Sequence, residues 1–183
     1  MGAATVLHRL DAVADARGAQ AANVARVLVN EAIPNLDDTV SFVKFFGNPR
    51  NFDVLSANRA FVKDTFEQVA GALQAPIEFE LDLRTSNIAY VLLGAPIKVF
   101  LGRSFFSYPV VGGDLSQAGA LVHELVHEVR GVPDQVNDVC EFRGDDRRCC
   151  GLRNALALAA TNPSQAIRNP DNYRVFAEAA WIH

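Results

Sequence analysis

Residues 114–131 read DLSQAGALVHELVHEVRG, and this stretch decides how the rest of the chain is interpreted. Apolar side chains recur in it at helical spacing, which predicts one buried face. They are Leu115, Ala118, Val122, Leu125 and Val129. Asp114 is placed to cap the helix, and Gln117 follows at the spacing of a capping box. Gly131 and Pro133 are typical of a helix end. The stretch therefore predicts an amphipathic helix packed on a core.

The polar side of this helix carries the pattern His-Glu-x-x-His, at His123, Glu124 and His127. Residues four apart lie on the same helical face, so both imidazoles can reach one ion. Zinc accepts imidazole nitrogen and, in catalytic sites, keeps one position for water. Glu124 is placed to take a proton from that water. The pattern predicts one catalytic Zn²⁺ held by His123 and His127, with Glu124 as the catalytic base.

The rest of the chain predicts helices around a small sheet. Alternation of apolar and charged residues over 77–83, followed by apolar runs at 88–93 and 97–101, indicates three strands. Helical periodicity covers the N-terminal third to Pro34, and further helices are predicted at 56–73, at 152–160 and after Pro170. We therefore expect an α+β fold.

The 183 residues, half of them hydrophobic, suit a single domain over 1–183. We expect a helical part over about 1–75 and a catalytic part over about 76–183.

Charge and hydropathy exclude two classes of partner. The net charge is −4, and the arginines of residues 143–153 are interleaved with acids, so no basic surface indicates nucleic acid. The most apolar stretch, 88–101, is broken by Gly94, Pro96 and Lys98, so no membrane span is expected. The first residues lack the apolar segment of a signal peptide. The expected partner is a protein or peptide substrate, and we expect a monomer.

Three stretches of the chain resemble the aspzincins, the deuterolysin-like zinc endopeptidases. The first runs from Ala89 through Gly113-Asp114 into the His-Glu-x-x-His helix, and the second is Gly131-Val132-Pro133-Asp134. The third begins at Leu156 and includes Asn169-Pro170-Asp171-Asn172-Tyr173 with Phe176 and Glu178, and it is similar to the C-terminal Asn-Ala-Asp-Asn-Tyr helix of the family. The resemblance implies a zincin-like fold, with N-terminal helices, a small twisted sheet, the active-site helix and C-terminal helices. It also implies hydrolysis of peptide bonds.

The resemblance implies an aspartate as the third zinc ligand, and Asp134 matches the family's Gly-Thr-x-Asp spacing after Gly131. Asp138 and Asp146 are alternatives, and Asp146 is one because Gly144-Asp145-Asp146 has a similar pattern. A family tyrosine thought to steady the oxyanion follows the ligand.

Asn137 stands in that tyrosine's place here. Arg130 and Tyr173 are candidates to replace it, but for each alone a solvated arginine or a packed tyrosine is the better explanation.

The resemblance also bears on which peptide bond is cut. In lysine-preferring members, two carboxylates on the C-terminal helix make the pocket after the scissile bond acidic. Asp171 matches the first of them, and Arg174 occupies the position of the second. Residues three apart share a helical side, so Asp171 and Arg174 are expected to pair. We predict that both contribute to substrate binding and that strict lysine preference is absent.

Two other functions stay open at this stage. One is a toxin or effector protease with a single protein target, which the absent leader favours. The other is a metal-binding interaction module that has lost the reaction, against which the intact Glu124 argues. The expected location is outside the producing cell, by secretion or by translocation into a target cell.

Overall fold

The computed structural model describes residues 3–92, 96–133 and 150–181, with side chains from residue 11 onward. Helices dominate these residues, and one short sheet interrupts them. In chain order the elements are α1 (Ala3–Asn35), α2 (Thr39–Phe46), α3 (Phe52–Gln74), β1 (Ile77–Asp82), β2 (Ala89–Leu92), β3 (Ile97–Gly102), a 3₁₀ turn (Arg103–Ser107), α4 (Gln117–Arg130), α5 (Leu152–Thr161), α6 (Pro163–Ala166) and α7 (Pro170–Trp181). None of the helices described is both long and apolar enough to cross a membrane.

In the described part of the chain, the sheet has three strands in the order β1-β3-β2. β1 pairs with β3 in parallel, and β2 pairs with β3 in antiparallel orientation, so β2 forms one edge of the described sheet. One sheet face carries charge, since Lys98 of β3 bonds Glu80 of β1 at 2.7 Å. The opposite face supplies the buried Val99 and Leu101 to the core. β1 packs on α1, whereas β2 lies against α4.

Aromatic side chains from α2, α3 and α7 form the centre of the helical core. Phe46, Phe66, Tyr173 and Phe176 contact one another with ring centroids 5.2–5.9 Å apart. Tilted and edge-to-face arrangements predominate, which suits the charge distribution of aromatic rings. The buried aromatic rings hold α7 in the middle of the bundle, where it contacts α1, α2, α4 and α5.

The sequence predictions locate most elements within a few residues. The strand predictions match β1, β2 and β3, and α3 begins at Phe52 after its N-cap Asn51. Two helices, α2 and α6, were not predicted. α2 has both signals that could have revealed it, an N-cap at Asp38 and phenylalanines at helical spacing. A single domain over 1–183 stays a prediction.

Asn172 connects three helices at the base of α7. Its side-chain amide nitrogen donates to the carbonyl oxygens of Phe45 (2.6 Å) and Ala155 (2.9 Å). Its amide oxygen accepts a bond from Asn169 at 2.6 Å. The side chain has no solvent exposure, so water cannot replace these partners.

We expect Asn172→Ala to lower the free energy of unfolding by about 2–3 kcal/mol, because it leaves buried polar groups without their partner. Urea unfolding at a fixed zinc concentration measures this. Asn30, exposed on α1, is the matched control, and Asn30→Ala should change stability by less than about 0.5 kcal/mol. Equal stability of the two variants would contradict the role given to Asn172.

Candidate metal centre

The two histidines lie on α4, which begins later than the sequence predicted. Ser116 is the N-cap, and its hydroxyl accepts a bond from the Gly119 N–H at 2.9 Å. The prediction of Asp114 as the cap is wrong, because the preceding loop engages the first helical residues. The Gln117 N–H donates to Pro109 O, and its side chain donates to Phe105 O rather than closing a capping box. The predicted end is confirmed, with Gly131 left-handed at φ 59°.

His123 and His127 turn the same ring nitrogen toward each other. Their Nε2 atoms are 3.0 Å apart. His123 Nδ1 lies 3.0 Å from a carboxylate oxygen of Asp171, and His127 Nδ1 lies 2.5 Å from the carbonyl oxygen of Val132. Both oxygens are acceptors, so each neutral ring carries its proton on Nδ1 and a lone pair on Nε2.

This pair of imidazoles fits a zinc ion. Two lone pairs 3.0 Å apart repel each other, and a cation that accepts both relieves the repulsion. Tetrahedral zinc with nitrogen ligands at 2.0–2.1 Å separates them by roughly 3.3 Å, close to what the pair already has. Ligating histidines in proteins usually donate their other N–H to a carboxylate or backbone carbonyl, as both do here. The donor set thus suits the metal predicted from the sequence.

The remaining predicted members of the site differ in what the structure describes. Glu124 lies on α4 beside His123 and is partly exposed, as a base acting on a water must be. Asp134, the predicted third ligand, lies outside the described residues, and so do its alternatives Asp138 and Asp146. In the part of the chain described, no three His, Cys, Asp or Glu side chains form a metal-binding group. The third ligand stays a prediction.

Asp171 is the partner of His123 and belongs to α7. One carboxylate oxygen also accepts from Arg174 Nε at 2.7 Å, and the other accepts from the Gly151 N–H. The residue is only 3% exposed. Burial alone would raise the pKa of this carboxyl, but the charge of Arg174 and the bond from His123 hold it well below its usual value. Asp171 is therefore an anion behind His123.

Arg174 pairs with Asp171, as the sequence predicted, and also with a second acid. Its NH1 donates to Glu178 Oε2 at 2.8 Å and to Asp114 O at 3.1 Å. Arg174 is 1% exposed. Burial would lower its pKa, but the two carboxylates raise it, so the guanidinium stays charged.

Asp171 and Arg174 thus bond protein groups and have almost no exposed surface. This arrangement favours a supporting role for both. Their predicted contact with substrate stays a prediction.

Two residues considered as oxyanion donors have other partners. Arg130, in the last turn of α4, bonds Thr65 Oγ1 at 2.7 Å and the Asp64 carboxylate at 2.6 Å. Tyr173 has no solvent exposure, and its hydroxyl donates to Ile167 O at 2.6 Å. Burial also raises the pKa of Tyr173. These contacts favour structural roles for both side chains.

Sequence reasoning gave no role to Ser116, and it used Glu178 only as part of the family resemblance. The Ser116 hydroxyl donates to Glu178 Oε1 at 2.5 Å, and burial raises the pKa of this glutamate. A detectable signal was present, because Asp171, Arg174 and Glu178 are spaced by three and four and are the charged residues of α7.

Known proteins resemble this chain in sequence and in fold. The aspzincin family model, described as lysine-specific metallo-endopeptidase, matches residues 34–178. An extracellular protease of Aeromonas hydrophila is 37% identical over 128 residues, which are 69% of this chain and 33% of that protein. A peptidyl-Lys metalloendopeptidase of Armillaria mellea is 30% identical over 141 residues, which are 76% of this chain and 35% of that protein. The chain thus spans about a third of the length of these curated relatives.

A zinc peptidase from Grifola frondosa has a similar structure. The two superpose with a TM-score of 0.70 at 26% sequence identity, and the match covers 89% of this chain and 93% of the other. The predicted α+β, zincin-like fold is thereby confirmed.

We expect His123→Ala and His127→Ala to lose bound zinc, because each removes one of the two converging nitrogens. Zinc bound only to the folded state stabilises it by about 2.7 kcal/mol at a hundred times the dissociation constant. Zinc should therefore raise the melting temperature of the wild type and leave that of both variants unchanged. His8→Ala, far from the motif in sequence, is the control and should respond like the wild type. Full zinc occupancy of either site variant after dialysis would refute the ligand assignment.

Proposed function

The chain belongs to the aspzincin family of metallo-endopeptidases, and from this premise we propose that it is a zinc-dependent endopeptidase. The observation that supports this most directly is the pair of His123 and His127 Nε2 atoms facing each other at 3.0 Å, each backed by an acceptor on Nδ1. We propose Asp134 as the third ligand of one zinc ion. A zinc ion bound there would lower the pKa of a water molecule and polarise a peptide carbonyl.

Glu124 is the side chain that transfers the proton in the proposed reaction. Its carboxylate accepts the proton of the attacking water and passes it to the nitrogen of the leaving amine. Glu124 and His123 are consecutive residues of α4, so the helix backbone fixes the distance between the proposed base and the proposed ligand. Asp171 and Val132 O hold the imidazole rings in the orientation and tautomer that binding requires.

The proposed substrate is an extended segment of a protein or peptide. Among the described strands, β2 lies at one edge of the sheet and against α4, which carries the histidines. An extended peptide can add to such an edge through main-chain hydrogen bonds. Those bonds do not depend on the side chain, so the edge accepts many sequences. We propose that the cleft between β2 and α4 receives the substrate.

We also propose that the protein acts outside the cell that makes it. The Aeromonas relative is named an extracellular protease, and it shares 37% of the aligned residues. No observation on the described residues favours a single target protein in another cell. A retired binding module is also not favoured, because His123, Glu124 and His127 are all retained.

We expect Glu124→Gln to reduce peptide hydrolysis by about 10²-fold or more while zinc stays bound, because the ligands remain and the proton acceptor is lost. Casein digestion and zinc content measure the two effects. Glu128→Gln, one helical turn later, is the matched control and should retain most of the activity. Near wild-type turnover by Glu124→Gln would show that another group is the base.

The acids of α7 suggest a cleavage preference different from that of the relatives named peptidyl-Lys metalloendopeptidase. A pocket for lysine needs a carboxylate that is available to the substrate ammonium. Both oxygens of Asp171 accept bonds from protein groups, and Arg174 adds a permanent positive charge beside it. We propose a broad or small-apolar preference on the leaving-group side of the scissile bond.

A proteome digested with the wild-type protein tests this preference. We expect cleavage before many residue types, and mass spectrometry of the new N-termini reads it out. Cuts confined to the N-terminal side of lysine would refute the proposal. Arg174→Glu is a poor test, because it would place three carboxylates together in a buried site at positions 171, 174 and 178 and so destabilise the fold.

The third ligand is tested by the same zinc measurement as the histidines. Asp134→Ala should weaken zinc binding far more than Asp138→Ala or Asp146→Ala. The opposite order would assign the ligand to the later segment.

A further inference from the structure

α4 and α7 face each other with two matching rows of residues. On α4 the row is Ser116, Gly119 and His123, and on α7 it is Asp171, Arg174 and Glu178. In both rows the spacing is three and then four residues, which keeps all three on one helical face. Hydrogen bonds join the rows at both ends, from Ser116 to Glu178 and from His123 to Asp171.

Gly119 in the middle of the α4 row makes this close approach possible. A Cβ at this position would lie 2.5 Å from Glu178 Oε1 and 3.0 Å from Arg174 Cγ. Real side chains do not tolerate such separations, so any larger residue would displace the α7 side chains. The absence of a side chain at 119 thus gives Arg174 and Glu178 their place against α4.

Arg174 connects the two ends of the paired rows. Nε and NH2 of its guanidinium both face the Asp171 carboxylate, at 2.7 and 3.4 Å, while NH1 bonds Glu178. The planar guanidinium restricts the rotation of a carboxylate that it contacts through two nitrogens. With Arg174 in place, one Asp171 oxygen stays directed at His123 Nδ1.

Building on the proposed zinc site, we propose that Arg174 is a positioning residue for the metal ligand His123. It acts through Asp171, and Glu178, held by the cap residue Ser116, keeps Arg174 in its conformation. The position at which lysine-preferring relatives need an acid thus serves the metal in this chain.

The alternative is that Arg174 only stabilises the fold, through its ion pairs, and does not position His123. Buried ion pairs give little net stability, because the cost of removing charges from water offsets their attraction. Apolar residues at positions 171, 174 and 178 would stabilise the fold equally well. A role in orienting His123 explains why three charged residues are present instead. Zinc affinity separates these readings, because a stability defect alone leaves the affinity of the folded protein unchanged.

The test compares Arg174→Met with the wild type by competition against a chelator of known zinc affinity. We expect zinc to bind about 10-fold more weakly, the lower end for residues that orient a metal ligand. In the cobalt-substituted protein, the visible absorption bands should shift because His123 is no longer held in one orientation. Peptide hydrolysis should show a lower kcat with little change in KM. Arg174→Lys keeps the charge but loses the planar contact. Its zinc affinity should fall between those of the wild type and Arg174→Met.

Arg26→Met is the matched control. Arg26 donates to Leu73 O at 2.6 Å and joins α1 to α3 far from the histidines in sequence, so its loss should lower stability without changing zinc affinity. Wild-type zinc affinity and an unchanged cobalt spectrum in Arg174→Met would overturn the proposal.

If Arg174→Met does not fold, Glu178→Gln carries the test, since it removes one charge that holds Arg174 and should weaken zinc binding a few-fold. An unchanged affinity in that variant would also overturn the proposal. A protein that binds zinc with this dependence on residue 174 but cleaves no peptide would refute the proposed function and leave this inference standing.

Discussion

The contact between α4 and α7 is the constraint on which the rest of the molecule depends. α7 lies in the middle of the helical core, and its Tyr173 and Phe176 pack on rings from α2 and α3. Its opposite side presents Arg174 to two buried carboxylates. Separating α4 from α7 would break the hydrogen bonds from Ser116 to Glu178 and from His123 to Asp171, and both buried carboxylates would lose a partner. The orientation of His123 thus depends on the packing of the whole bundle.

The two histidines are oriented by chemically different acceptors. His127 donates to a backbone carbonyl, that of Val132, which no side-chain substitution removes. His123 donates to the Asp171 carboxylate, which substitution can remove. An anionic acceptor makes an imidazole a stronger donor to a metal than a neutral carbonyl does. The two histidines are therefore unequal as proposed zinc ligands, and a neighbouring side chain influences the basicity of His123 but not that of His127.

Elements that depend on local interactions could be predicted from the sequence. Alternation predicted the strands, and the spacing of His123 and His127 placed both on one face of α4. The N-cap could not be predicted, because Asp114 and Ser116 are both good caps and the choice depends on the loop carbonyls that pair with the following N–H groups. α2 was not predicted although its pattern is regular, because a helix of eight residues contains only about two turns of periodicity.

The residues that surround the two histidines could be predicted from the sequence less completely than the histidine pair itself. The pairing of Asp171 with Arg174 follows from helical spacing alone. The bond from His123 to Asp171 joins residues 48 positions apart, so it depends on how two helices pack. The family resemblance implies that Asp171 contributes to a substrate pocket, and this stays a prediction. In the structure the residue is buried beside His123, a contact that the resemblance did not indicate.

The segment between Val132 and Gly151 is attached to the histidines at both ends. Before the segment, Val132 O accepts the bond from Nδ1–H of the His127 ring. After it, the Gly151 N–H donates to the Asp171 carboxylate, which also bonds His123. Both attachments use main-chain atoms, so they do not depend on which side chains the segment carries. Side chains in this interval can therefore change without altering the main-chain atoms that orient the two imidazoles, but the interval also contains Asp134, the proposed third ligand.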